Sequence, residues 1–268
     1  MVLSGLAGSI SLACWIIVFT PQIYENWLRQ STEGLSLAFV VIWLLGDLFN
    51  VFGALLQHVL PTMTLLAVYY TAADIVLLFQ CLIYKHHHRA RAVVAADAEQ
   101  QQPLLQSPAA SPAASPVPAS SAVSKPRAVL HHYARQPVIK ESLIVLVVIL
   151  CGVLGYVLGD HEQPDTPGVP PEPQPLSFWG QVLGWICAGL YLASRLPQIH
   201  LNYKRKSTDG VAVLFFVFTL LGNITYCLSI FAADSSRHAL VLNASWIVGA
   251  FGSLLLDIVV VVQFWVYR

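Results

Sequence analysis

Apolar residues gather into seven long runs, at 3–24, 36–57, 62–84, 142–159, 178–199, 211–232 and 243–267. A helix needs about 20 mostly apolar residues to cross the hydrocarbon core of a bilayer. Each run approaches or exceeds that length, and the shortest, 142–159, is almost purely Leu, Ile, Val and Gly. The pattern therefore predicts an all-α integral membrane protein with seven transmembrane helices. Between the third and fourth runs, residues 86–137 are rich in Ala, Ser, Pro and Gln. Such a stretch buries too little apolar surface to offset chain entropy and is predicted to be disordered. A second polar loop, 161–176, carries Glu162, Asp165 and Glu172 among prolines, without Lys or Arg.

Composition agrees with lipid as the solvent. The chain of 268 residues is 56% hydrophobic and 10% charged, against about 25% charged in a soluble domain. Mean hydropathy is +0.66. The first run lacks a basic leader and a clear cleavage site, so it is expected to be retained as a helix. Cys14, Cys81, Cys151, Cys187 and Cys227 lie within apolar runs without metal-ligand spacing and are expected to pack rather than bridge or bind metal. Net charge is zero, but the charges are segregated. Arg29 follows the first run. Lys85, Arg89, Arg91, Lys125, Arg127, Arg135 and Lys140 lie between the third and fourth, and Lys204, Arg205 and Lys206 follow the fifth. With seven spans these regions share one side, while Arg237 is the basic residue of the other. The positive-inside rule then puts the N-terminus in a lumen and the C-terminus in the cytosol.

Residues 21–50 match 197–226 without a gap. Pro-Gln-Ile-Tyr-Glu-Asn-Trp-Leu-Arg-Gln-Ser-Thr-Glu-Gly faces Pro-Gln-Ile-His-Leu-Asn-Tyr-Lys-Arg-Lys-Ser-Thr-Asp-Gly, and Gly46-Asp47 faces Gly222-Asn223. Further on, Asp74 to Gln80 aligns with Asp257 to Gln263. Chance apolar similarity does not reproduce matched Pro, Gln, Asn, Ser, Thr and Gly, so the chain reads as a duplication. Each unit has three helices and both enter from the same side, which makes the repeats parallel. The expected organisation is a first three-helix repeat at 1–85, the disordered cytosolic loop 86–137, a linker helix at 138–160, the lumenal loop 161–176 and a second three-helix repeat at 177–268, a 3+1+3 arrangement.

Two Pro-Gln motifs, each followed by Asn and by Ser-Thr-acid-Gly, resemble those of the PQ-loop proteins, over nearly all the chain outside 86–137. Gly46-Asp47-Leu48-Phe49-Asn50, the Asp in the third run, and Asn243-Ala244-Ser245-Trp246 ahead of Gly249 are similar to the vacuolar and lysosomal cationic amino acid transporters of that family. The resemblance implies transport of lysine, arginine and histidine across a vacuolar or lysosomal membrane, with proton coupling.

Several residues carry the chemistry expected of such a site. Pro21 and Pro197 each remove a helix hydrogen bond, freeing the carbonyls of Ile17 and Ala193, and equivalent prolines in a duplicated unit suggest paired hinges. Gln22 and Gln198 would satisfy freed backbone groups or touch substrate. Asp47, Asp74 and Asp257 lie in apolar runs, where a carboxylate costs about 2.5–3.5 kcal/mol at the bilayer centre and normally faces a polar pathway or a partner on a neighbouring helix. Asn50 shares a helix face with Asp47, as Tyr70 does with Asp74. Asn223 and Tyr226 are the repeat equivalents of Asp47 and Asn50. A substrate cation needs a carboxylate counter-ion, and its own carboxylate needs donors such as Asn50, Asn223 or Asn243. Trp246 belongs to the motif shared with the transporters. A carboxylate in such a site could also load a proton from an acidic lumen.

Other features read as bland: His86-His87-His88 as a solvated juxtamembrane run, and Asn243-Ala244-Ser245 as a glycosylation sequon too close to the membrane for modification. Glu99 to Leu105 is similar to an acidic dileucine signal, so Leu104 and Leu105 are candidates for a sorting adaptor. No cofactor, metal or nucleic acid is expected, and no enzyme, since no activated nucleophile or metal-spaced ligand set is present. Two alternatives stay open: a seven-helix nutrient sensor or receptor, and a PQ-loop carrier of another solute such as cystine or a sugar.

Overall fold

The computed structural model describes residues 2–56, 61–105, 137–159 and 178–267, and every regular element among them is a helix. In chain order these are α1 (Val2–Ile17), α2 (Thr20–Arg29), α3 (Leu37–Leu56), α4 (Pro61–Leu105), α5 (Pro137–Leu158), α6 (Phe178–Arg205), α7 (Val213–Ala233), the short α8 (Arg237–Leu242) and α9 (Ala244–Val266). Among the described residues, six stretches are long and apolar enough to cross a membrane: Val2–Arg29, Leu37–Leu56, Leu65–His87, Lys140–Leu158, Val213–Ala233 and Ala244–Val266. Helix α6 is not among them. It has 28 residues, about 42 Å of helix, but its polar residues Gln181, Arg195, Gln198, His200 and Asn202 lower its hydropathy. Large apolar side chains cover the outside, including Leu65 (71% exposed), Phe79 (64%) and Trp265 (83%). This is the make-up of a helical integral membrane protein, whose outer face is solvated by lipid.

Two expectations change. The first apolar run crosses as one span, Val2–Arg29, but its α-helical hydrogen bonding lapses at Val18 and Phe19, where Phe19 keeps right-handed dihedrals (φ −78°, ψ −26°), and resumes at Thr20. Pro21 therefore sits in the first turn of α2 rather than in a helix interior. A proline costs nothing there, since first-turn N–H groups have no intrahelical partner. Helix α4 also runs past residue 85 to Leu105, so the first part of the stretch expected to be disordered is helical. That part is rich in Ala and Gln with two Arg, and good helix formers extend a helix that a spanning segment has already nucleated. Residues 106–136 lie outside the described residues, as do 160–177 and with them the whole of the expected lumenal loop, and nothing is described of the side chains of Leu104 and Leu105.

The main helix packing joins one repeat to the other. Helix α1 packs along α7, and reciprocally α3 packs along α6. Within the second repeat, α9 lies between α6 and α7; within the first, α4 packs on α3 and touches α2. Helix α5 lies against α1, where a Cβ on Gly152 would come within 2.6 Å of the Ile10 Cα, so only glycine permits that approach. The core at the repeat interface is aromatic. Phe19, Phe39, Trp43, Phe215 and Phe216 are almost fully buried, with the Phe39–Trp43 and Trp43–Phe215 ring centroids 5.2 and 5.3 Å apart and edge-on, the geometry that aromatic quadrupoles favour.

Candidate functional site at the repeat interface

Helices α2 and α6 end alike. Gln30 and Lys206, equivalent in the repeat, are both left-handed, with φ of 50° and 49°. After each, a serine closes a small turn: the Glu33 N–H donates to Ser31 Oγ at 3.3 Å and the Asp209 N–H to Ser207 Oγ at 3.1 Å. The Leu35 N–H then donates to the Thr32 carbonyl and the Val211 N–H to that of Thr208. The Ser-Thr-acid-Gly motif is thus a turn whose serine satisfies a backbone donor. The two turns meet back to back. A Cβ on Gly34 would lie 2.3 Å from the Asp209 carbonyl oxygen and 2.7 Å from the Gly210 Cα, and Gly210 itself has a φ of +88°.

Each Pro-Gln glutamine holds the turn of the opposite repeat. Gln22 Nε2 donates to the Gly210 carbonyl at 3.0 Å, and its Oε1 accepts from the Ala212 N–H at 2.8 Å. Gln198 Nε2 donates to the Gly34 carbonyl at 2.9 Å, and its Oε1 accepts from the Ser36 N–H at 2.8 Å. Ala212 is the N-cap of α7 and has no capping side chain of its own. The glutamine thus satisfies in trans a donor that a helix start leaves unpaired. The motif asparagine extends the chain inward. Gln22 Nε2 also donates to Asn26 Oδ1, Asn26 Nδ2 to Gln80 Oε1, and Gln80 Nε2 to the Ile23 carbonyl. Gln198, Asn202, Gln263 and the Ile199 carbonyl repeat every step at 2.8–2.9 Å. Both Nε2 protons and the Oε1 of each buried glutamine are therefore engaged with protein.

Deeper in, the three aspartates converge on a residue that the sequence reading passed over. Arg195 on α6 is 1% exposed, and its Nε lies 3.3 Å from Asp257 Oδ1 in an ion pair with both side chains almost wholly buried. Its Nη1 donates to Ser194 Oγ at 2.9 Å and to the Tyr191 carbonyl at 3.3 Å. The guanidinium lies 3.9 Å from the Trp43 ring centroid, a cation–π contact strengthened by desolvation. Asp47 accepts a hydrogen bond from the Tyr191 hydroxyl at 2.5 Å and lies beside Trp43 and the Asp74 carboxyl. The charge of Arg195 reaches both Asp47 and Asp74. Among the described residues, Asp47 Oδ2, Asp74 Oδ2, Asp257 Oδ2 and Asn223 Nδ2 are buried without a hydrogen-bond partner. The Thr219 hydroxyl lies beside Asp257 and also reaches the Phe216 carbonyl at 2.9 Å.

The other expected residues differ in their settings. Asn50 and Tyr226 are half-buried and Trp246 is 38% exposed. Asn243 Nδ2 donates locally to the Ala239 carbonyl. Tyr70 packs on Trp15, Phe19 and Tyr69 and lies near Asp47. Asn223 lies one turn beyond Thr219 on the same face of α7. The missed Arg195 did have a signal: the gapless repeat sets it opposite Phe19, two residues before Pro197, as a lone base within an apolar run.

The family model for the PQ loop repeat matches residues 3–63 and 179–238. The vacuolar lysine transporter YPQ1 of Saccharomyces cerevisiae is 40% identical over 99% of this chain and 94% of its own length. The vacuolar histidine transporter YPQ3 of the same yeast is 41% identical over 99% and 92%. The human lysosomal amino acid transporter 1 homolog is 31% identical over 97% and 81%. With both Pro-Gln units inside the matched segments and relatives aligned from end to end, the chain belongs to the PQ-loop family.

Proposed function

We propose that the chain transports cationic amino acids (lysine, arginine and histidine) across a vacuolar or lysosomal membrane. One observation carries this reading: three buried carboxyl groups from both repeats converge where α3 meets α6, in a chain whose full-length relatives are named vacuolar lysine and histidine transporters. A cationic side chain brought into so dry a site needs such counter-ions. In this reading α6 is the seventh span and α5 the linker of a 3+1+3 arrangement, with the N-terminus lumenal and the C-terminus cytosolic. The length of α6 and its equivalence to α1 and α2 support its crossing, and the basic loops support the orientation.

Proton coupling belongs to the same site. Asp47 and Asp74 lie in contact, and an oxygen of each has no donor. Two carboxylates side by side repel unless one carries a proton, which then bridges them. The pair therefore holds either a proton or a cation, and exchange of one for the other couples their movement. Alternating access follows from the two turns and the crossed glutamines. They close one end of the interface, and opening that end requires the repeats to part there, with bending at the lapse before Pro21 and at Pro197.

The test is flux of labelled lysine, arginine, histidine, cystine and glucose into proteoliposomes with and without a pH gradient. Gradient-dependent uptake of the basic amino acids alone is the expected result. Binding without flux would point to a sensor, and preferred uptake of cystine or glucose would replace the substrate.

A further inference from the structure

Arg195 is the one Lys or Arg among the buried described residues. Burying an ion pair costs desolvation that its Coulomb attraction does not reliably repay. The other repeat manages without one, filling the same position with Phe19, packed on Trp43, Tyr70 and Phe215. Stability therefore gives no reason for an arginine here. The pair is also incomplete as a structural bridge, since Asp257 Oδ2 has no donor although Asp257 is fully buried.

We propose that Arg195 and Asp257 together dock the zwitterionic head of the transported amino acid. The guanidinium takes the α-carboxylate and Asp257 takes the α-ammonium, which leaves Asp47 and Asp74 for the cationic side chain. This inference rests on the reading of the chain as an amino acid transporter. Lysine, histidine and arginine differ in their side chains but share one anionic and one cationic group on the α-carbon. A dry site that accepts all three needs one fixed cation and one fixed anion side by side, and Arg195 with Asp257 supplies them 3.3 Å apart. In this structure the two neutralise each other. Substrate replaces one internal ion pair by two intermolecular ones, so neither buried charge is left alone at any stage. The planar fork of Arg195 suits a carboxylate in a way that a lysine ammonium does not.

The experiment compares lysine with two truncated analogues in proteoliposomes: pentane-1,5-diamine, which lacks the carboxylate, and 6-aminohexanoate, which lacks the α-amino group. The wild-type protein is expected to favour lysine over either analogue by roughly 100-fold, the size of a lost hydrogen bond to a charged group. In Arg195→Gln the preference over the diamine should fall to within about threefold, while in Arg195→Lys it should fall about tenfold. In Asp257→Asn the preference over 6-aminohexanoate should collapse and that over the diamine persist. Should Arg195→Gln fail to fold, the Arg195→Lys and Asp257→Asn arms still decide. Equal proportional loss for lysine and both analogues in the variants would overturn the proposal and leave the pair structural. A wild-type protein that carries none of the basic amino acids would instead overturn the transport reading itself.

Discussion

The two repeats share a loop but differ in the helix before it. In the second, α6 passes through Pro197 without interruption; in the first, the helix lapses at Val18 and Phe19 and restarts at Thr20. The side chains two residues before each proline differ as well. Arg195 ties its own helix together by donating to the Tyr191 carbonyl and Ser194 Oγ while reaching Asp257 on α9. Phe19 offers no donor, and the carbonyl of Ile16 takes its hydrogen bond from Tyr69 Oη on α4. One repeat is therefore a strut carrying charge, and the other is jointed. Duplication kept the latch and let the halves diverge in what they do beneath it.

The largest effect should come from making the first repeat resemble the second at depth. Asp47→Asn copies Asn223 into the equivalent place and removes one member of the carboxyl pair. Lysine uptake should fall by roughly 100-fold or more, since an oriented charge in a dry site is worth several kcal/mol. Asp74→Asn should do the same, with protein abundance near that of the wild type. Normal, gradient-driven uptake by both variants would mean that the carboxyl pair takes no part in coupling.

The crossed glutamines come next, and here the repeats should behave alike. Gln22→Ala and Gln198→Ala each delete a hydrogen-bond set that spans the interface and strand a buried N–H and carbonyl, at about 1–3 kcal/mol for each unsatisfied group. The two turns should then open more often. Single cysteines placed at Glu33 or Asp209 would be modified about tenfold faster by a membrane-impermeant thiol reagent, a factor worth ~1.4 kcal/mol. Gly34→Ala should produce the same change, because its Cβ would press on Asp209 and Gly210. A large effect from one glutamine and none from the other would break the symmetry seen at this level.

How much of this was legible beforehand depended on the kind of residue. The apolar runs, the duplication and the intramembrane aspartates are one-dimensional signals, and lipid forces each of them to matter. The partners were not legible. Gln22 and Gln198 reach across to the other repeat, a contact 188 and 162 residues away in sequence, and no local pattern encodes it. Arg195 is a single base inside the apolar run 178–199, and the repeat alignment with Phe19 is what distinguishes it. The extension of α4 to Leu105 was hidden because composition alone does not separate a solvated helix from a disordered chain rich in helix formers.

The smallest effect tests the joint itself. If the lapse before Pro21 is where the first repeat bends, Pro21→Ala should let α1 and α2 fuse, since alanine restores a donor to the Ile17 carbonyl and is the best helix former. A fused helix would resist the bend, and uptake should drop about fivefold, equal to ~1 kcal/mol on the barrier, without loss of abundance. Pro197→Ala acts on a helix that is already continuous and held by Arg195, so its uptake should change by less than about twofold. Equal losses in the two variants would show that both prolines bend during transport and that the interruption at Val18 and Phe19 belongs to this conformation alone. A greater loss in Pro197→Ala would reverse the assignment, making the charged repeat the moving one.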